Sequence, residues 1–287
     1  RRDAIGKVNY AMPAQIFGLD VGRSFIKVVQ VEVSGGRKRL VAAASVPAPA
    51  GGMQSESAVD LKKIGEAVKD CVKTAKIDTD KCVVSLIESQ VVTRLIQLPE
   101  LTDKELSSAI NWEAEQYIPL PIKEVSLQYQ VISRPEVKGG GKMNVLLIAA
   151  PKRTIAKYLS VIRDAGLKVE ILETESTALA RALTAPNDPA SIIVSVGAIS
   201  TELVIISGGN VVFTRSIASG GVNLTRAIMA EFNLPQNQAE EYKHAYGILE
   251  DKLSGKVAAV LKPILDVIVS EIIKAVEYTR THAANTQ

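Results

Sequence analysis

Asp20, Gly22, Ser24 and Lys27 stand close together in the stretch IFGLDVGRSFIKVVQVE, from Ile16 to Glu32. A carboxylate, a glycine, a small hydroxyl and an amine at this spacing suit a phosphate group bound together with a cation. Gly22 lets the backbone approach a ligand closely, and Ser24 and the neighbouring N–H groups are donors for phosphate oxygens. Asp20, ending an apolar run, is placed to hold a hydrated Mg²⁺. The competing reading is an ordinary hairpin with a polar turn.

The elements that position these residues are two runs rich in Val and Ile, which predict a β-hairpin around the Asp20–Ser24 turn. A second copy follows at Ile192 to Gly221, IIVSVGAISTELVIISGGNVVFTRSIASGG. Aligning Gly22 with Gly197 superposes apolar strand, Val-Gly turn with a hydroxyl behind it, and a second apolar strand. A Gly-Gly turn then recurs at Gly35-Gly36 and Gly208-Gly209, each followed by a third strand. Such a repeat fits two similar lobes facing each other across a cleft, each offering one phosphate-binding hairpin.

A chain of 287 residues suits two ordinary domains or one bilobed unit. Aromatic residues make up only 4%, and aliphatic ones dominate, which favours α/β layers over a β-sandwich. The net charge of +3, with acids and bases interspersed, leaves no electrostatic footprint for nucleic acid. Cys71 and Cys82 both sit in apolar patterns and read as buried thiols of a cytoplasmic protein rather than a disulfide. The two histidines, His244 and His282, could not build a metal site without carboxylates. No apolar run approaches the roughly 20 residues of a transmembrane helix, and there is no secretory signal.

Residues 1–15 read as a loose basic leader, and a start at Arg1 rather than Met is expected of a fragment or a processed chain. The first lobe is expected over residues 16–91. Within it Ala58 to Ile77 is an amphipathic helix. Lys81 to Leu98 is a strand region of two runs, Val83 to Ile87 and then Val91 to Leu98. Thr102 and Glu105 form a capping box opening the next helix, and Lys138 to Lys142 is a glycine-rich turn. Residues 92–172 together read β-α-β-β-α-β, a ferredoxin-like insert. Residues 173–187 return to the first lobe and link onward, and 188–287 form the second lobe with three closing helices. The last of these, Ser254 to about Arg280, carries an apolar stripe from Val257 to Val276, with a kink expected at Pro263. Its polar face mixes both charges, so core packing suits it better than a membrane surface.

The segment AINWEAEQYIPLPIKEVSLQYQVI, Ala109 to Ile132, narrows the choice. It resembles the signature of the PilM family of type IV pilus assembly proteins. The resemblance continues through VLLIAAPKRTIAKYLSVIRDAGLKVEILETESTALARAL and through ISTELVIISGGNVVFTRSIASGGVNLTRAI to LPQNQAEEYK. It spans about Phe17 to about Arg280. It implies an α/β, bilobed actin-like ATPase fold with ribonuclease H-like lobes. It also implies ATP and Mg²⁺ as cofactors and a place on the cytoplasmic side of the inner membrane. The partner would be the N-terminal tail of a PilN-like bitopic protein, captured beside the insert, with pilus motor components beyond it. Self-association is left open.

Carried over by position, Asp20, Gly22, Ser24 and Lys27 would form the first phosphate loop, with Lys27 touching the β-phosphate and Asp20 the metal through water. Lys27 also fits a solvated strand lysine. Gly197, Ser200 and Thr201 would form the second loop, and Gly220 and Gly221 would approach the phosphates or sugar. Glu240 and Lys243 would flank the adenosine, or simply pair as surface ions one turn apart. Glu175 would position attacking water, or stabilise a helix dipole. Two departures argue for slow hydrolysis or none. Ser195 stands where the family usually has Asp, and the chain ends at Gln287 before the family's Gly-rich adenosine-binding segment. The rival expectations are an FtsA-like division protein tethering a tubulin-like filament, a sugar or acetate kinase, and a nucleotide-free scaffold. An FtsA-like protein would show an amphipathic C-terminal anchor, and a kinase would need longer lobes and an acid deep in the cleft.

Overall fold

The computed structural model describes residues 16–135 and 141–283, the side chains of 281–283 excepted. The expected leader and most of the glycine-rich turn at Lys138 to Lys142 lie outside the described residues. In chain order the strands are β1 (Phe17–Val21), β2 (Phe25–Ser34), β3 (Arg37–Pro47), β4 (Lys81–Leu86), β5 (Val92–Pro99), β6 (Val125–Ser133), β7 (Lys142–Pro151), β8 (Lys168–Thr174), β9 (Ser191–Val196), β10 (Thr201–Ser207) and β11 (Asn210–Ile217). The α-helices follow the same convention. They are α1 (Ala58–Thr74), α2 (Asp103–Glu115), α3 (Lys152–Asp164), α4 (Glu175–Leu183), α5 (Gly221–Phe232), α6 (Gln236–Tyr246) and α7 (Lys256–Ala283). They group into two compact units. One takes the described residues of Arg1–Ile87 and Arg153–Thr174, the other those of Glu88–Lys152 and Glu175–Gln287.

The first unit is built on a five-stranded sheet in the order β3-β2-β1-β4-β8. Its first three strands are an antiparallel meander, and β1, β4 and β8 run parallel. Alternation in β1 and β2 puts Phe17, Leu19, Val21, Ile26 and Val28 on one buried face. The stripe Ile64, Val68 and Cys71 of α1 is buried with them. Gly65 lets α1 lie close to α3: a Cβ there would stand 3.3 Å from the Val161 carbonyl.

The second unit holds two three-stranded antiparallel sheets, β11-β10-β9 and β5-β7-β6. Strand β7 is buried along nearly its whole length, because each face of its sheet meets a different layer. Leu106, Ile110 and Ala114 of α2 cover Ile96, Met143, Val145 and Leu147 on one side. Leu146 and Ile148 meet Val204, Ile206 and Ala180 on the other. Helix α7 lays Ile268 and Ala275 against Leu203, Ile205 and Ile217, as its sequence stripe requires.

The helices end within a few residues of where periodicity places them, and the Thr102–Glu105 capping box makes both of its hydrogen bonds. Pro263 lies inside α7, which continues past it. The two runs expected within 81–98 are β4 and β5, separated by a 3-10 turn at Glu88–Gln90 and joined to different sheets. One expectation differs. The β-α-β-β-α-β order from β5 to β8 is present, yet β8 hydrogen-bonds beside β4 and the insert's sheet keeps three strands. A ferredoxin-like sheet of four is therefore not formed, since the edge of β4 takes up the last strand. Leu106, only 1% exposed within the insert's core, is expected to cost about 3 kcal/mol when replaced in Leu106→Ala, measured by urea unfolding.

Candidate phosphate-binding loops and their carboxylates

The turn of the first hairpin is shaped by one glycine. A Cβ on Gly22 would stand 2.7 Å from the Phe25 carbonyl oxygen, closer than any side chain is tolerated. The register pairs Asp20 with Lys27 across β1 and β2, so both side chains share a face. Lys27 Nζ donates to Asp20 Oδ2 at 3.2 Å, leaving the amine more than half exposed. Ser24 is exposed at the turn, and its carbonyl accepts the Ala48 N–H at 2.9 Å. Asp20, Gly22, Ser24 and Lys27 thus converge on one hairpin end in the first unit.

The second hairpin repeats this geometry in the other unit. A Cβ on Gly197 would stand 2.9 Å from the carbonyl of Ser200, again three residues on. The Gly-Gly turns also match: Gly35 and Gly36 take φ of 56° and 77°, Gly208 and Gly209 take 57° and 74°. Positive φ at both central residues is what a two-residue hairpin turn demands. The internal repeat read from the sequence is therefore a repeat of backbone conformation.

Loop 197–200 is tied to the start of α5. Gly221 N–H donates to the Gly197 carbonyl at 2.9 Å and Val222 N–H to that of Ala198 at 2.8 Å. Gly220 has no room for a side chain, since a Cβ would meet the Gly197 oxygen at 2.6 Å and Ala198 at 2.8 Å. The buried Thr201 hydroxyl donates to the Ser219 carbonyl at 2.7 Å, so it shapes the loop from inside. Among the described residues, the N–H groups of Ala198, Ile199 and Ser200 make no hydrogen bond. Successive unengaged amides of this kind form a concavity suited to an anion.

Helix α6 adds a charged group beside the same glycines. Glu240 and Lys243 form an i,i+3 ion pair at 2.6 Å. Lys243 Nζ also donates to the Gly221 carbonyl at 3.2 Å and to the Thr225 hydroxyl at 2.8 Å, while that hydroxyl lies 2.6 Å from Glu240 Oε1. Burial pushes the Glu240 carboxyl up, but the hydrogen bonds and charge of Lys243 with the Thr225 hydroxyl outweigh it, and it titrates below its ordinary range. The two residues singled out on α6 are thus joined to Gly221 by the otherwise unremarked Thr225.

Three further carboxylates lie deeper in this unit. Glu175 opens α4, and its Oε2 accepts the backbone N–H of Glu88 at 3.3 Å. Glu88 is buried and accepts the Thr93 hydroxyl at 2.9 Å and the Ser176 N–H at 3.4 Å. Glu202 is buried on β10, where its Oε1 accepts the hydroxyls of Ser200 at 2.9 Å and Ser216 at 2.7 Å. Its Oε2 is buried without a hydrogen-bond partner. Desolvation pushes the Glu202 carboxyl up, the two serine hydroxyls pull it down, and the charge of Glu88 pushes it up again. A buried carboxylate oxygen without a donor fits an Mg²⁺ ion, which is bound by hard oxygen ligands. Asp20, in the first unit, differs in being partly exposed and paired with Lys27. No group of three His, Cys, Asp or Glu among the described residues could hold a metal ion. An Mg²⁺ ion here would therefore draw its other ligands from water and phosphate.

Residues 18–287 match the model of type IV pilus assembly protein PilM. The chain belongs to the PilM family. Among solved structures it is similar to the PilM-PilN type IV pilus biogenesis complex, with 31% identity over 94% of this chain and 79% of that one, at a TM-score of 0.78. It is similar in fold to the ethanolamine utilization protein EutJ from Carboxydothermus hydrogenoformans, at 18% identity over 93% of this chain and 74% of that one, with a TM-score of 0.54. The fold is accordingly that of the actin-like ATPases, as expected from the two hairpins.

Against that PilM frame, Glu202, Glu88 and Thr225 are the residues that sequence reasoning passed over. For Glu202 a signal existed: it is the one acid in the apolar run TELVII. Gly220→Ala is expected to cost about 2 kcal/mol by overpacking, read by urea unfolding. Thr225→Val should cost about 1 kcal/mol, because it removes the hydroxyl that links Gly221 to the Glu240–Lys243 pair. A carboxylate lowered below its unfolded value of 4.5 stabilises the fold above that pH and stops doing so as pH falls through the folded value. The stability gap between wild type and Glu240→Gln should therefore be open at pH 7 and close below about pH 4.5.

Proposed function

We propose that this chain is a nucleotide-binding adaptor of type IV pilus assembly that docks the N-terminal tail of a PilN-like inner-membrane protein. The observation carrying the proposal is the 31% identity to a PilM-PilN complex over nearly the whole chain. Among the described residues no helix is long and apolar enough to cross a membrane. A cytoplasmic protein brought to the inner membrane by its partner accords with that.

The nucleotide in this proposal is ATP with Mg²⁺. Asp20, Gly22, Ser24 and Lys27 of the first unit and Gly197, Ser200, Gly220 and Gly221 of the second are its assigned binding groups, with Thr201 shaping the second loop. Support comes from the repeated loop geometry and from the unengaged amides at 198–200. Glu240 and Lys243 are assigned to the adenosine side through their attachment to Gly221. ATP would stabilise the form that binds it by mass action. Hydrolysis would be slow or absent, since Ser195 lacks a carboxylate and Glu175 is engaged with the Glu88 backbone.

Calorimetry with ATP and Mg²⁺ tests the nucleotide half. Binding is expected, and Lys27→Ala should weaken it about tenfold, equivalent to about 1.4 kcal/mol. Absence of heat with wild-type protein would leave the family's scaffold role without a nucleotide. The single tryptophan, Trp112 on α2 of the insert, is 77% exposed and reports on the docking half. A synthetic PilN-like tail should change its emission saturably. A tail that binds neither by fluorescence nor by calorimetry would contradict the adaptor role.

A further inference from the structure

The buried carboxylates of the second unit carry an inference that rests on the nucleotide reading above. Glu202 is 5% exposed and Glu88 is 4% exposed, yet neither is in an ion pair with a Lys, Arg or His among the described residues. Glu88 is nonetheless served by Thr93 and the Ser176 N–H. Glu202 is not fully served: two serine hydroxyls reach Oε1, and Oε2 has no partner. An ionised carboxylate left this way is costly unless a cation or a proton completes it.

Its place in the fold says what could complete it. Glu202 is the second residue of β10, directly behind loop 197–200, and one of its own donors, Ser200, belongs to that loop. The β9–β10 register sets Glu202 opposite Ser195, and opposed residues in an antiparallel pair project from the same face. The acid absent at 195 is thus present on the neighbouring strand, one methylene longer. We infer that Glu202 supplies the second unit's carboxylate toward the divalent cation of a bound nucleotide, the place that Ser195 cannot fill. Magnesium is commonly held by one or two carboxylates together with water and phosphate oxygens. One free carboxylate oxygen beside an amide-lined loop meets that requirement, and Glu88 adds negative potential behind it. Ser200 has one proton to donate, and Glu202 now accepts it. A cation on Glu202 would weaken that acceptor and free the hydroxyl for a phosphate oxygen.

The test compares ATP affinity in Mg²⁺ with that in EDTA for wild type, Glu202→Gln, and Glu202→Gln combined with Ser195→Asp. Wild type should bind at least about tenfold tighter with Mg²⁺. In Glu202→Gln the ratio should collapse toward one while the EDTA affinity is kept, and the added Asp at 195 should restore it. A ratio unchanged in Glu202→Gln would overturn the inference, as would wild-type binding indifferent to Mg²⁺. Wild type that binds no ATP under either condition would overturn the nucleotide reading itself, and this inference with it. Should Glu202→Gln fail to fold, wild-type protein answers alone by NMR. Mn²⁺·ATP in place of Mg²⁺·ATP should broaden the amide resonances of Glu202 and its neighbours first, and sharp signals there would refute the assignment.

Discussion

Two hydrogen bonds, from Gly221 to the Gly197 carbonyl and from Val222 to that of Ala198, govern the second unit's site. They draw the first turn of α5 onto loop 197–200, and Gly220 is bare because the loop lies where its Cβ would be. The helix thereby satisfies N–H groups that would otherwise be orphaned at its start. The consequence is a division of labour. The helix amides hold the loop, and among the described residues the loop's own amides at 198–200 are left without a hydrogen bond. Thr201 and Thr225 extend the arrangement on either side, one to Ser219 and the other to the charged pair on α6.

The first unit reaches a similar end with fewer parts. Its loop lies between β1 and β2, with Gly22 under the Phe25 carbonyl and the Asp20–Lys27 pair across the register. An exposed pair of this kind contributes little to stability. The two hairpins are chemically unlike. The first carries an acid and a base on its surface, whereas the second buries its acid beneath the loop.

Much of this was legible in the residues themselves. The hairpins announce themselves through apolar alternation interrupted by glycine, and the capping box at Thr102 through its spacing. The apolar stripe of α7 announces its core face. What escaped has a physical reason in each case. The pairing of β8 with β4 is a long-range choice that local pattern does not encode. Glu202 stands out as the one acid of its apolar run, but a strand acid ordinarily faces water, and only the packing of β10 between two layers shows that this one does not. The resemblance places Ser200 and Thr201, with their hydroxyls, in the second phosphate loop. Where those protons go depends on Ser219 and Glu202, neither of which spacing could place.

Hydrogen–deuterium exchange, with and without ATP and Mg²⁺, probes the central claim most directly, because it reads the backbone amides on which the loops depend. Slowed exchange is predicted at residues 198–200 and at 22–24, whose turns the account assigns to phosphate, with the already bonded amides of Gly221 and Val222 changing little. Unchanged exchange at both turns under conditions where ATP binds, or protection confined elsewhere, would contradict the account.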